Sequence, residues 1–461
     1  MSKSVGIPPF YLTSIELENV RCFGKRQILD LTDGNGQPAQ WTILLGDNGV
    51  GKTTLLQCLA WMRMVPLKFP EDQGDDEPIK EGELAPALSN EENDVLESLL
   101  RAGAKVTLDL KATMCQHQRL SSISPERKNI TTGIKLHGVN GELKSREMYD
   151  NSKIEDSGWY YDEPPIFTYG ANRFMGLKNL AKGDLEDPIA SRLHGQTEMY
   201  DAEEILNNLD HAAAKNKRES KKRLATVERM LTKLLPHVKG IKIHGPKIID
   251  LPGEESGIDF LTPYGPVPLR GLSLGYQTTL AWAIDLAWRL FRFYPNSSDP
   301  LSEPAVVLVD EIDLHLHPRW QRNIIDVLTA LFPEIQFIAT AHSPLIVQAA
   351  ATSNIAVLRR ERNYIVIEND PEAVSGWRVD QILGSELFDV PSRDKPTERL
   401  IRRRDALLDK PNRSPAEESR LRRLEEDILN LPGAESAEDR EMMKLIREAA
   451  SSLKKPKDPH S

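Results

Sequence analysis

The sequence has little cysteine, no long apolar run and no excess of positive charge. Cys22, Cys58 and Cys115 are the only three cysteines among 461 residues. They stand far apart with no paired spacing, which argues against a disulfide framework or a cysteine-built zinc site and fits a reducing cytoplasm. The longest apolar stretches are strand-sized, well short of the roughly 20 residues that cross a bilayer, so no membrane partner is expected. Residues 1–6 lack the apolar core of a secretion signal, and a cytoplasmic location is expected. The net charge of −10 argues against a protein coated in nucleic acid, which calls for a basic face, while leaving room for a local basic groove. Charge is also segregated, with an acidic loop from Glu71 to Glu77 and four arginines between Arg399 and Arg404. The remainder is ordinary for a soluble globular chain, and the length suggests two or three domains.

The pattern along the chain alternates strands and helices. Residues 11–17 alternate apolar and polar as a half-buried strand does, and Trp41 to Leu45 is a short apolar strand running into Gly46. Residues 71–95 read as a surface loop, 105–114 as an antiparallel strand and 166–170 as a strand with a glycine stop. From 202 to 238 the composition turns to Lys, Arg, Glu, Ala and Leu, with Leu224, Val227, Leu231 and Leu234 at helical spacing, a short helical arm. Trp282 and Trp288 read as core on the helix that follows residues 272–277. Residues 304–309 are nearly all Val and Leu, as expected of a parallel strand covered on both faces, and with the Pro318 helix and the strand 335–340 they form a βαβ unit. Beyond 391 the chain reads as charged helix, with Ser414-Pro415-Ala416-Glu417 as a helix start and helices expected from 397 to 454.

Three groups of residues carry chemistry. Gly46-Asp47-Asn48-Gly49-Val50-Gly51-Lys52-Thr53 fits the P-loop pattern, in which glycines let backbone N–H groups turn inward around phosphates at a helix N-terminus. Gly46, Asn48, Gly49, Gly51, Lys52, Thr53 and Thr54 are the expected ATP contacts, Lys52 reaching the β- and γ-phosphates and Thr53 holding Mg²⁺. Asp310 and Glu311 end the buried Val-rich strand. Asp310 is expected in the Mg²⁺ shell, and Glu311 is expected to polarise the attacking water as general base. His342 ends the next strand, where α/β sheets place ligands, and is expected at the γ-phosphate. His315 and His317 are expected to shape the turn before Pro318 and to contact a neighbouring subunit.

With Leu272-Ser273-Leu274-Gly275-Tyr276-Gln277 between the P-loop and the acidic strand, these motifs resemble those of the ABC-type ATPases of the SMC and RecF branch. The resemblance covers about residues 11–350. It implies an α/β fold: a two-lobed ABC-type ATPase head with a P-loop sheet and an antiparallel β extension, a helical arm insertion and a C-terminal helical tail. The boundaries it suggests are 1–174 for the P-loop lobe, 175–270 for the arm and β insertion, 271–390 for the signature lobe and 391–461 for the tail. It also implies a head-to-tail dimer holding two ATP molecules, in which Ser273 and Gly275 touch the nucleotide on the partner's P-loop, and a nucleotide contact from Arg21. No glutamine stands where the family's Q-loop would be; residues 169–173 occupy that place. The stretch from Asp310 to Gln321, the short arm and the charged tail further resemble ATPase subunits of bacterial anti-phage systems of the Septu kind. That resemblance implies an assembly, dimeric or larger, in which ATP controls a separate HNH-type nuclease acting on DNA. A DNA-repair clamp or loader of the RecF kind is the alternative. The wide separation of P-loop and signature, and Glu-Ile-Asp after Asp310, speak against a transporter motor.

Overall fold

The computed structural model describes residues 9–62, 64–66, 84–86, 96, 98–100, 105–116, 129–139, 142–148, 165–178, 196–215, 218–235, 238–245, 257–369, 376–385, 387–388, 394–410 and 413–429. The chain divides into two compact units, Met1–Phe388 and Asp389–Ser461.

The first unit is organised by a six-stranded sheet in the order Tyr364–Asn369, Asn354–Glu361, Trp41–Gly46, Ile335–Thr340, Ala305–Val309, Ile166–Tyr169. All neighbours are parallel except the first pair. The acid strand Ala305–Val309 is buried along its whole length, as its unbroken run of Ala, Val and Leu predicts. Successive side chains of the sheet enter two separate cores, because a strand alternates faces. Ile43, Leu45, Val307, Val309, Phe337 and Ala339 point to the core shared with the helices. Leu44, Val306, Leu308 and Ile338 point to the other, which is closed by the P-loop helix Lys52–Trp61 and by an antiparallel sheet.

That antiparallel sheet has five strands, in the order Gln27–Asp30, Phe10–Glu18, Lys105–Gln116, Asn129–Val139, Glu142–Met148. The strands expected at 11–17 and 105–114 are both in it. The helical arm consists of two helices, Ala202–Ala214 and Arg218–Leu234, the first capped by the Asp201 carboxylate accepting from Glu203 N–H (2.8 Å). The stripe at helical spacing is the buried face of the second helix: Val227, Leu231 and Leu234 are in the core and Leu224 packs against it. Residues 240–268 hold a three-stranded antiparallel sheet. The helix Leu274–Phe293, which begins in the stretch 272–277, follows, with Trp282 buried and Trp288 packed on the core. The helix expected from Pro318 to Leu331 is broken into Pro318–Gln321 and Ile324–Leu331.

In the second unit, helices Lys395–Leu408 and Pro415–Leu429 are described, and residues 430–454 of the expected helical tail lie outside the described residues. Ser414 and Glu417 form the reciprocal cap: Ser414 N–H donates to the Glu417 carboxylate (2.9 Å) and Glu417 N–H to Ser414 Oγ (3.3 Å). The surface loop expected at 71–95, with its acidic run from 71 to 77, lies outside the described residues apart from Leu84–Pro86, which pairs as a short strand with Met64–Pro66. Among the described residues no helix is long and apolar enough to cross a membrane.

Candidate nucleotide site at the strand ends

The parallel register brings the carboxyl ends of four strands to one edge. Leu44 lies opposite Thr340, and Val309 lies opposite both Ala339 and Tyr169. The residues that follow these positions therefore meet in space although they are far apart in the chain. They surround a cavity of about 380 Å³ lined by Arg21, Cys22, Asn48, Gly49, Gly51, Lys52, Thr53, Thr54, Asp310, Glu311 and His342.

The P-loop runs from the sheet into its helix through backbone that few side chains tolerate. Gly51 has φ +90°, and a Cβ there would lie 2.5 Å from Cys22 Sγ and 3.0 Å from the Phe23 ring. Only glycine satisfies both the conformation and the close approach. Lys52 opens the helix, and its ammonium donates to the carbonyls of Gly46 (2.7 Å) and Asp47 (2.9 Å), curling back over the loop. Burial lowers the Lys52 pKa, against the pull of Asp310, Glu311, Asp47 and Asp313.

Thr53 Oγ1 donates to Asp310 Oδ2 (2.7 Å), and Thr340 Oγ1 donates to Asp310 Oδ1 (2.6 Å). Both carboxylate oxygens of Asp310 are thus fixed by hydroxyls. A hard Mg²⁺ ion takes one or two protein oxygens and fills its octahedron with phosphate oxygens and water. The Thr53 hydroxyl and the Asp310 carboxylate are a donor set of that size. No cluster of three or more His, Cys, Asp or Glu is present among the described residues, so the site does not resemble an all-protein metal cage.

Glu311 has φ +48°, a conformation uncommon for a residue with a side chain. Its N–H donates to Thr340 Oγ1 (2.7 Å) and its carbonyl accepts from Arg173 Nη2 (2.9 Å). His342 borders the same cavity, and its N–H donates to Asp313 Oδ2 (2.9 Å). Arg21 has φ +45° and donates to Gln57 Oε1 (3.0 Å) and to the Ser98 carbonyl (3.1 Å).

Ser273 and Gly275 are not among the residues that line this cavity. Ser273 is the N-cap of the signature helix, exposed, with its hydroxyl making no cap bond, and Leu274 beside it is 60% exposed. Gln277 holds the preceding loop by donating to the carbonyls of Leu272 (2.7 Å) and Arg270 (3.0 Å). A Cβ on Gly275 would lie 2.2 Å from the His315 carbonyl oxygen. Gly275 thus has an internal role, admitting the turn that follows Glu311. His315 sits in that turn at φ +63°, and His317 caps the Pro318 helix by accepting from Arg319 N–H (3.2 Å).

Two residues of the site carried no individual signal in the sequence. Arg173 is buried under the acids, and Thr340 supplies the hydroxyl shared by Asp310 and Glu311. Only the position of Thr340 at the end of a strand, two residues before His342, hinted at a role.

Fold and site define an α/β protein whose central sheet carries a P-loop, two acids and a histidine around one cavity at its strand ends. Two family models match, "AAA domain" over residues 14–239 and "AAA domain, putative AbiEii toxin, Type IV TA system" over residues 205–348. The chain is similar to the Septu protein PtuA of Bacillus mycoides (strain KBAB4), 26% identical over 426 residues, 91% of this chain and 50% of that protein. It is similar also to the Retron Ec83 probable ATPase of Escherichia coli, 35% identical over 181 residues, 39% of this chain and 31% of that protein. A second Septu protein PtuA, of Bacillus thuringiensis, is 30% identical over 166 residues, 35% of this chain and 42% of that protein. The matched stretches span half or less of the length of these relatives. Among solved structures, an Smc head bound to the C-winged helix domain of ScpA is 16% identical, with coverage of 78% of this chain and 98% of that chain and a TM-score of 0.42.

Proposed function

We propose that this chain is an ATP-binding and ATP-hydrolysing subunit of an anti-phage defence complex. Two copies close head-to-tail around two ATP molecules, and the closed state controls a separate HNH-type nuclease that cuts DNA. The observation that carries the reading is the convergence of P-loop, Asp310, Glu311 and His342 on one cavity, while Ser273 and Leu274 face outward from it.

In this reading Lys52 leaves the carbonyls of Gly46 and Asp47 for the β- and γ-phosphates, where a buried ammonium is better satisfied by anions. Thr53 and Asp310 hold Mg²⁺, which would screen the phosphate charge when bound. Glu311 accepts a proton from the attacking water, and His342 contacts the γ-phosphate. Ser273 and Gly275 complete the site of the partner copy, with the N-terminus of a 20-residue helix and an uncommitted hydroxyl aimed at anionic oxygen. Arg21 braces the nucleotide from the cavity wall. Residues 1–174 and 271–390 act as two lobes, 175–270 as an arm and 391–461 as the docking tail for the nuclease.

The test is ATP turnover together with oligomeric state. Lys52→Ala abolishes nucleotide binding. Glu311→Gln retains it, loses about 10²- to 10³-fold in kcat, and accumulates as an ATP-bound dimer by light scattering. A Glu311→Gln chain that hydrolyses ATP at the wild-type rate removes Glu311 from its role, and one that stays monomeric with ATP bound removes the head-to-tail site. Removal of residues 391–461 abolishes co-purification of the nuclease; full recovery without them refutes the docking role.

A further inference from the structure

Arg173 is a buried cation with an unusual set of partners. Among the described residues its guanidinium donates to main-chain carbonyls: Asp310 (2.7 Å) and Gly170 (3.1 Å) from Nη1, and Glu311 (2.9 Å) from Nη2. The carboxylates of Asp310, Asp313 and Glu311 surround it electrostatically without accepting a hydrogen bond from it. A planar fork of this kind can span two consecutive carbonyls, which a point-like ammonium cannot do in the same geometry. The two carbonyls it spans belong to the two acids of the nucleotide site, and the second acid is in a left-handed conformation. With the Thr340 hydroxyl on the Glu311 N–H, both polar groups of the Glu311 backbone are fixed.

The stretch that delivers Arg173 is itself anchored to the signature helix. Asp285, fully buried on that helix, accepts from Tyr169 Oη (2.8 Å) and Tyr200 N–H (2.9 Å) and is paired with Arg289. Tyr169 ends the edge strand of the central sheet, and its carbonyl accepts from Asp310 N–H (2.8 Å). Asp285, Tyr169, Gly170, Arg173, Asp310 and Glu311 therefore form one connected polar chain from signature helix to acid pair. The geometry points to Arg173 as a positioning residue that holds Asp310 and Glu311 in working geometry and ties that geometry to the signature helix of the same subunit.

The inference rests on the ATPase reading above, so the wild-type chain is assayed alongside. Arg173→Lys keeps the charge and removes the fork. Its kcat falls about 10- to 100-fold, the usual cost of losing a supporting partner of a site, while affinity for a fluorescent ATP analogue changes less than about 2-fold. In a Glu311→Gln background the same change costs clearly less in single-turnover hydrolysis than in the wild type, because one of the two acids it holds is already removed. A residue that serves only stability would instead multiply the two effects or lower affinity and turnover together, and either result overturns the proposal. So does an Arg173→Lys kcat within about 2-fold of wild type. If Arg173→Lys does not fold, Tyr169→Phe carries the test, with kcat down about 5-fold at unchanged affinity, the worth of one hydrogen bond, and unchanged kcat refuting the link. Absence of ATP turnover in the wild type refutes the ATPase reading, whereas an active wild type with an unaffected variant refutes the positioning role alone.

Discussion

Replacing Thr340 by Val tests how the acid pair is held. The substitution conserves shape and removes one hydroxyl that is fully buried, that donates to Asp310 Oδ1 (2.6 Å) and that accepts from Glu311 N–H (2.7 Å). Two polar groups lose a partner at once. An unsatisfied buried donor or acceptor costs about 1–3 kcal/mol, and part of Asp310 borders the cavity, where water can replace the bond, so the sum is about 2–4 kcal/mol. For the unit Met1–Phe388, an unfolding entropy of about 2.1 cal/mol/K per residue gives about 0.8 kcal/mol/K, so Tm falls by about 2–5 °C. The larger effect is on turnover. Glu311 loses the bond that fixes its N–H in a left-handed turn, and a displacement on the order of 1 Å costs about 10²-fold in kcat. Differential scanning calorimetry and steady-state ATPase measurements read the two. Thr340→Ser is the control: it keeps the hydroxyl, loses a methyl and retains turnover within a few-fold. A Thr340→Val chain with wild-type kcat and Tm would refute the view that this hydroxyl sets the acid pair.

Other consequences are independent of it. Gly275→Ala places a Cβ 2.2 Å from the His315 carbonyl oxygen; the clash costs about 1–3 kcal/mol and shifts the signature helix from the Glu311 turn, so ATP turnover falls while monomer ATP binding, read by fluorescence titration, is kept. Burial pushes the Cys58 thiol up to about 12, so iodoacetamide at pH 9–10 leaves it unmodified in the native chain and modifies it after denaturation, as peptide mass spectrometry will show. The raised folded pKa also favours the native state while the thiol is protonated in both states; that contribution is complete below the ordinary thiol value of 9.0 and is lost as pH rises toward about 12, lowering Tm over that window.

Much of the fold was legible because local pattern and tertiary role coincided. The Val-rich run 305–309 could be covered only by packing on both faces, and the spacing of Val227, Leu231 and Leu234 could bury only one side of a helix. The cap at Ser414 and Glu417 is written within four residues, and it forms as read. The division of the arm into helices and the break in the Pro318 helix were not legible: helical composition continues past Ala214 and across 322–323. Composition reports helix propensity and not where a chain turns back on its neighbours.

The sequence by itself determined the phosphate cradle and the acid pair. The reasons are local: glycines that free the backbone to reach left-handed φ, a lysine at the first turn of a helix, and two acids at the end of a buried strand. It placed a helix after residues 272–277, whereas the helix begins inside that stretch, at Leu274. Only the tertiary structure decided what supports these residues. Arg173, Tyr169, Asp285 and Thr340 touch the acid pair or its scaffold from distant positions in the chain, 137 residues apart for Asp310 and Arg173 and 116 for Tyr169 and Asp285. Such partners are set by strand register and by the burial of a charge that must find carbonyls or carboxylates, and neither leaves a periodic trace in the chain.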